Sequence, residues 1–207
     1  MARDILSDPE KAALLAAVKD VERRSAAEVV IAFRGRSGSY FEADLIAGIL
    51  LALFALWFQL FSPWEFSLPA IIVSPAVAGA LGAFLSSRAP NLRRLFTSRA
   101  NRRERVRLGA LAAFHEMRVS ETRERTGVLV YVSCLERMAV VVPDGGVLRR
   151  VATQAWDEAV RAVEAAAAGH APGMPVAVAV RGLGELLAVA LPPREDDVNE
   201  LPDEVAR

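Results

Sequence analysis

The chain has 207 residues, 25 lysines and arginines against 25 aspartates and glutamates, and a formal net charge of zero. With no recognisable binding motif beside it, that balance argues against a nucleic-acid surface. A single cysteine, Cys134, excludes an internal disulfide, and with His115 and His170 it makes no metal-type spacing.

Ser7, Asp8, Pro9 and Glu10 form a capping box with proline in the first turn, which predicts a helix from there to about Arg24, with Leu14, Leu15, Val18 and Val21 inward. The first residues lack a basic start followed by an apolar core, so no secretory signal is expected. EVVIAF, from Glu28 to Phe33, is a short β-branched run followed by the turn-like RGRSGS, and reads as a strand.

Two apolar segments come next, from Leu45 to Phe61 and from Leu68 to Leu85, joined by SPWEFS. Neither contains a full charge. At about 1.5 Å per helical residue each spans roughly 26–27 Å, just short of a hydrocarbon core of about 30 Å. Trp57, Phe58, Phe61 and Trp64 cluster near one level, as at a membrane interface. The competing reading is two buried helices of an all-α core, but such helices ordinarily show a polar face, and Gln59 is almost the only polar side chain in the first segment. A two-helix transmembrane hairpin is therefore expected, with Ala78/Gly82 and Gly79/Ala83 at a spacing that suits close helix approach. Arg88, Arg93, Arg94, Arg99, Arg102, Arg103, Arg105 and Arg107 follow it against a lone Glu104, and Arg34 and Arg36 precede it. The positive-inside rule then puts both termini in the cytoplasm, and Arg88, Arg93, Arg94 and Arg99 become candidates for anionic lipid headgroups.

The basic stretch should continue as a helix to about Met117, with Val106, Leu108, Leu111, Ala112 and Phe114 as its apolar positions. Gly127 to Ser133 and Met138 to Val142 are nearly continuous apolar runs split at Glu136 and Arg137, the pattern of a β-hairpin buried on both faces. Cys134 inside it is read as a buried reduced thiol. Pro143-Asp144-Gly145-Gly146 ends the second strand. A helix from about Val147 to Ala167 is expected, with Leu148, Val151, Ala155, Trp156, Val160 and Val163 on its core side. From Pro175 to Leu191 periodicity allows strand or helix, and from Pro192 the chain is polar and acidic, a surface segment or a partly ordered terminus.

The run VERRSAAEVVIAF, then F-x-x-x-x-V-x-x-T from Phe114 to Thr122, then GVLVYVSCLERMAVVVPDGGV, Trp156 and NELPD near the end resembles the TPM-domain proteins, closest to a bacterial branch of membrane proteins. The resemblance implies an α/β (α+β) fold, a mixed β-sheet flanked by helices on both faces, with the segment before Leu191 helical. Here the inserted hairpin would make that domain discontinuous: residues 1–38 and 91–191 around a hairpin at 39–90, with a tail at 192–207. Some TPM relatives act as acid phosphatases and others as assembly or auxiliary factors for membrane complexes, so the fold does not fix the function.

A phosphatase would need acidic groups near strand ends, with or without a divalent cation such as calcium or magnesium. The matching positions are Glu22, Glu28, Glu136 and Asp144, with Asp144 the candidate metal ligand because it stands at a strand end before a helix. Each also has a structural reading: Asp144 as turn former or cap, Glu136 with Arg137 as a solvated turn pair, Glu22 and Glu28 on exposed faces. Arg125 and Thr126 stand where relatives often carry asparagine, which weakens the case for a ligand there. No nucleophile with a base is in view. The leading expectation is thus a bacterial inner-membrane protein whose cytoplasmic domain is an interaction or assembly module for other membrane proteins. A phosphomonoesterase and an anionic-lipid-binding adaptor are the alternatives.

Overall fold

The structure is a computed structural model, and it describes residues 6–193 together with the backbone of 205–206. It divides into two compact units, residues 1–37 with 103–207, and residues 38–102.

The first unit is built on one sheet. Helix α1 (Asp8–Arg24) starts where the capping box predicts, with the Ser7 hydroxyl and amide both donating to Glu10 Oε2 at 2.7 and 2.9 Å. Its buried stripe is Leu14, Ala17, Val18 and Val21. Strand β1 (Glu28–Arg34) pairs in parallel with β2 (Gly127–Ser133), which pairs antiparallel with β3 (Met138–Pro143). Val205–Ala206 lies parallel to β1 opposite Ile31 and Ala32 and forms β4, giving the order β3-β2-β1-β4. The tail was expected to be surface chain; this short pairing is a difference, made by backbone groups that no side-chain pattern announces. Residues 194–204 and 207, which include the NELPD motif, lie outside the described residues.

Alternation along the strands assigns the two faces. Val29, Ile31, Phe33, Val128, Val130, Val132, Ala139 and Val141 share one core with α1, α7 (Thr153–Ala167) and α8 (Gly173–Ala190). Val30, Ala32, Leu129 and Tyr131 pack on the other side against α5 (Arg99–Glu116) and the 3-10 turn Val119–Glu121. The result is a mixed α+β fold with helices on both faces. The ambiguous segment after Gly173 is helix because Val176, Ala177, Val180, Leu183 and Leu187 form a single buried stripe.

Three expectations are corrected. The inner face of α5 is Val106, Ala110, Ala113 and Phe114, while Leu108, Leu111 and Ala112 face outward. The reason is Gly109: a Cβ there would lie 2.7 Å from the Tyr131 hydroxyl, so the helix turns its small residues to the sheet. The helix expected from Val147 is broken into a single turn, α6 (Gly145–Leu148), and α7; Val147 and Val151 both enter the core and Leu148 is exposed. Finally, β2 is buried throughout, but β3 is an edge strand whose Met138, Val140 and Val142 are only half-buried.

The second unit comprises α2 (Phe41–Phe61), α3 (Leu68–Arg88) and the short α4 (Pro90–Leu95). Contacts run from Asp44 with Ser86, through Gly48 with Gly79, to Gln59 with Ser74, so α2 and α3 are antiparallel. Close approach requires the glycines: a Cβ on Gly48 would lie 2.7 Å from the Gly79 carbonyl, and one on Gly82 would lie 2.9 Å from that of Ala47.

Candidate functional site

Strand register separates the four carboxylates singled out as catalytic candidates. Glu28 opposes Gly127, and Val128 opposes Pro143, so Glu28 and Asp144 stand where β1 and β2 begin and β3 ends. Glu22 belongs to the same end, accepting the Val29 amide at 3.4 Å. Glu136 follows Ser133 at the opposite end, six residues along the strands and roughly 20 Å away at about 3.3 Å per residue. The four cannot share a pocket.

Asp144 behaves as a cap. One of its oxygens accepts the Gly145 amide at 2.6 Å, and the other lies buried, 3.6 Å from the Arg125 guanidinium. Arg125 itself is left-handed at φ 57°, which lets its carbonyl accept the Gly146 amide at 2.8 Å. A divalent cation wants several oxygen ligands. Among the described residues no group of three histidine, cysteine or acidic side chains could hold one, and the cation already beside Asp144 is Arg125.

The groove at this end, about 220 Å³, is lined by Ala26, Glu124, Arg150, Ala190, Leu191, Pro192 and Pro193. None of the four candidates lines it. Its charged members neutralise each other, with Arg150 Nη1 2.9 Å from Glu124 Oε2.

At the other end the expectation of a solvated Glu136 is corrected: the residue is 1% exposed. Its Oε1 accepts the Ser37 amide at 3.0 Å and its Oε2 accepts the Ser133 hydroxyl. The Ser37 hydroxyl donates to Ser133 Oγ at 2.7 Å and lies 3.0 Å from the Tyr131 hydroxyl. The chain needs this because burying a carboxylate without donors is costly. Ser37, Tyr131 and Ser133 went unnoticed in the sequence, although Tyr131 and Ser133 are two apart in an otherwise apolar strand and so share a face. Cys134, next to this cluster, is half-buried; burial, then the nearby Glu136 and Glu10 carboxylates, push its thiol pKa up. The group is a fastening for the strand ends, with Ser133 and Glu136 both buried.

The unusual surface belongs to the second unit. Among the described residues three helices are long and apolar enough to cross a membrane, α2, α3 and α8, one more than the sequence suggested. They differ in what covers them. In α8 39% of the apolar window is buried in its own unit, whereas in α2 and α3 it is 6%. Leu53, Phe54, Trp57, Ile72, Val77 and Phe84 are each more than half exposed. At the closed end, ring pairs join Phe54, Trp57 and Phe61, and Phe58 meets Trp64 and Phe66. At the open end, Arg93 makes a bidentate pair with Asp44, Nε to Oδ1 at 3.0 Å and Nη2 to Oδ2 at 2.6 Å, and the Ser86 hydroxyl donates to Asp44 Oδ1 at 2.8 Å. Of the arginines assigned to lipid headgroups, Arg93 is thus held by a carboxylate that also holds its pKa above the usual value. Arg88 lies over the Phe84 ring at 5.1 Å, Arg94 bonds Asn91, and Arg99 is exposed at the start of α5.

No family model matches the chain, and no curated protein matches it either. Among solved structures it is similar to the NMR structure of BA42 protein from the psychrophilic bacterium Bizionia argentinensis, at 17% identity and a TM-score of 0.61, over 100% of this chain and 97% of that one. At that identity the likeness is one of fold, and it agrees with the α+β architecture.

Proposed function

We propose that this chain is an integral membrane protein of the bacterial inner membrane, in which α2 and α3 span the bilayer and the α+β unit, TPM-like in its order of motifs, serves in the cytoplasm as an interaction or assembly module for other membrane proteins. The observation that carries the reading is the contrast in burial among the three apolar helices: α8 hides its stripe against α1 and α7, while α2 and α3 leave theirs bare. Exposed apolar surface of that extent needs a covering phase. Each helix, at 21 residues, is about 31 Å long by a rise of 1.5 Å, matching a hydrocarbon core of about 30 Å. Aromatic rings at one end and arginines at the other suit the two interfaces.

The module half of the reading is supported by the site geometry, in which Asp144 caps a helix turn, Glu136 fastens the strand ends, Glu22 accepts a backbone amide, and none of the four candidates lines the groove. Topology is tested with single cysteines, in a Cys134→Ala background, placed at Ser62 and at Ser98. A membrane-impermeant maleimide applied to intact spheroplasts should label Ser62→Cys, and label Ser98→Cys only after lysis. Labelling of both before lysis would overturn the two-span arrangement. Phosphate release from a generic phosphomonoester, abolished by Asp144→Asn, would replace the module by a phosphatase.

A further inference from the structure

No residue of the short helix α4 is buried. Its residue Arg93 reaches the first turn of α2 and is pinned there by Asp44, which also takes the Ser86 hydroxyl near the end of α3. This pair is only 15% and 12% exposed, so it fixes α4 at the level of Asp44 and Ser86, at the open end of the apolar helices. About 200° further round the helix from Arg93, by the 100° step, lies Leu95, which is 73% exposed, and Leu92 is exposed as well. Between Arg88 and Arg102 this unit carries five arginines and no acidic residue. Exposed leucines flanked by arginines, held where a spanning pair meets water, have the chemistry of an interfacial helix.

We propose that α4 is an in-plane anchor for an anionic phospholipid surface: Leu92 and Leu95 enter the acyl boundary, Arg88, Arg94 and Arg99 meet the phosphates, and Arg93 positions the helix without touching lipid. The proposal rests on the membrane-spanning reading of α2 and α3. It separates Arg93 from its neighbours, which the sequence treats alike. Charge attraction of basic residues to an anionic leaflet falls with salt, whereas an internal, partly buried pair is screened much less.

The test uses the full chain in lipid nanodiscs, with an environment-sensitive fluorophore on Leu95→Cys in a Cys134→Ala background. Nanodiscs are made of phosphatidylcholine alone or mixed with phosphatidylglycerol, each doped with brominated lipid as quencher. Quenching should be at least about twofold stronger in the anionic discs, and raising salt from about 0.05 to 0.5 M should abolish the difference. Combining Arg94→Gln with Arg99→Gln should remove the anionic increment only. Arg93→Gln should lower quenching in both lipids alike, since it unpins the helix. Equal quenching in the two lipids at low salt, or an Arg93→Gln effect confined to anionic discs, would overturn the proposal. Failure of the chain to enter nanodiscs at all would instead remove the spanning reading on which it stands.

Discussion

Replacing Glu136 by alanine tests whether its carboxylate is a fastening or a spare acid. The side chain is 1% exposed, and truncation deletes the acceptors of the Ser37 amide and the Ser133 hydroxyl. Hydrogen bonds to a charged acceptor contribute about 1.5–3 kcal/mol each, and relief of carboxylate desolvation offsets part of that, which leaves a net loss of about 2–4 kcal/mol. For a unit of this size the change corresponds to a drop in Tm of roughly 6–15 °C. Glu136→Gln keeps an acceptor for Ser37 but obliges the Ser133 hydroxyl to turn, and should lose only about 1 kcal/mol. Thermal unfolding of the full chain in mild detergent, followed by near-ultraviolet circular dichroism, separates the two variants. An alanine variant that melts within about 1 °C of the parent would refute the reasoning, since a buried carboxylate with two good donors cannot be removed at no cost.

The other predictions concern packing and ionisation. Gly82→Val places a branched side chain where a Cβ alone would be 2.9 Å from the Ala47 carbonyl, and should destabilise the α2–α3 pair by about 1–3 kcal/mol, lowering the midpoint of SDS unfolding read from Trp57 and Trp64 fluorescence; Gly182→Ala, in open space on α8, should cause no loss. Because burial raises the Cys134 pKa, less of its thiol is ionised near pH 8, and iodoacetamide should alkylate it more slowly in the folded chain than after urea unfolding. The Ser7 hydroxyl and amide hold the Glu10 pKa below its ordinary value of 4.5. A depressed carboxylate stabilises the fold fully above the unfolded value and loses that contribution as pH falls through the folded one. The first turn of α1 should therefore fray as pH falls below the ordinary carboxylate range, and in Glu10→Gln the fraying should lose its pH dependence, as measured by side-chain and amide NMR titration.

Several elements were legible from local pattern. The capping box at Ser7 to Glu10 set the start of α1, and the unbroken apolar runs after Gly127 and Met138 set β2 and β3, because caps and strand periodicity are local properties of the chain. The two long segments without charge likewise appear as helices. Composition reveals less about which face turns inward. Leu108 and Leu111 are larger and more apolar than Ala110 and Ala113, yet the smaller pair is buried, since Tyr131 from a distant strand occupies the space at Gly109. The candidate carboxylates show the same limit. Glu136 reads as a turn residue until Ser37, 99 positions earlier, supplies its amide donor.

Adjacency along the chain is enough to show that two segments are apolar enough to cross a bilayer, that basic residues follow them, and that strands and amphipathic helices lie on either side of them, because these depend only on neighbouring residues. It took the folded arrangement to show that α8, also apolar, belongs to a core, that Glu136 and Asp144 stand at opposite ends of the sheet, and that Arg93 is paired with Asp44. Each of those depends on which surfaces meet when residues far apart in the chain are brought together, and desolvation and hydrogen bonding act on surfaces in contact, not on neighbours in sequence.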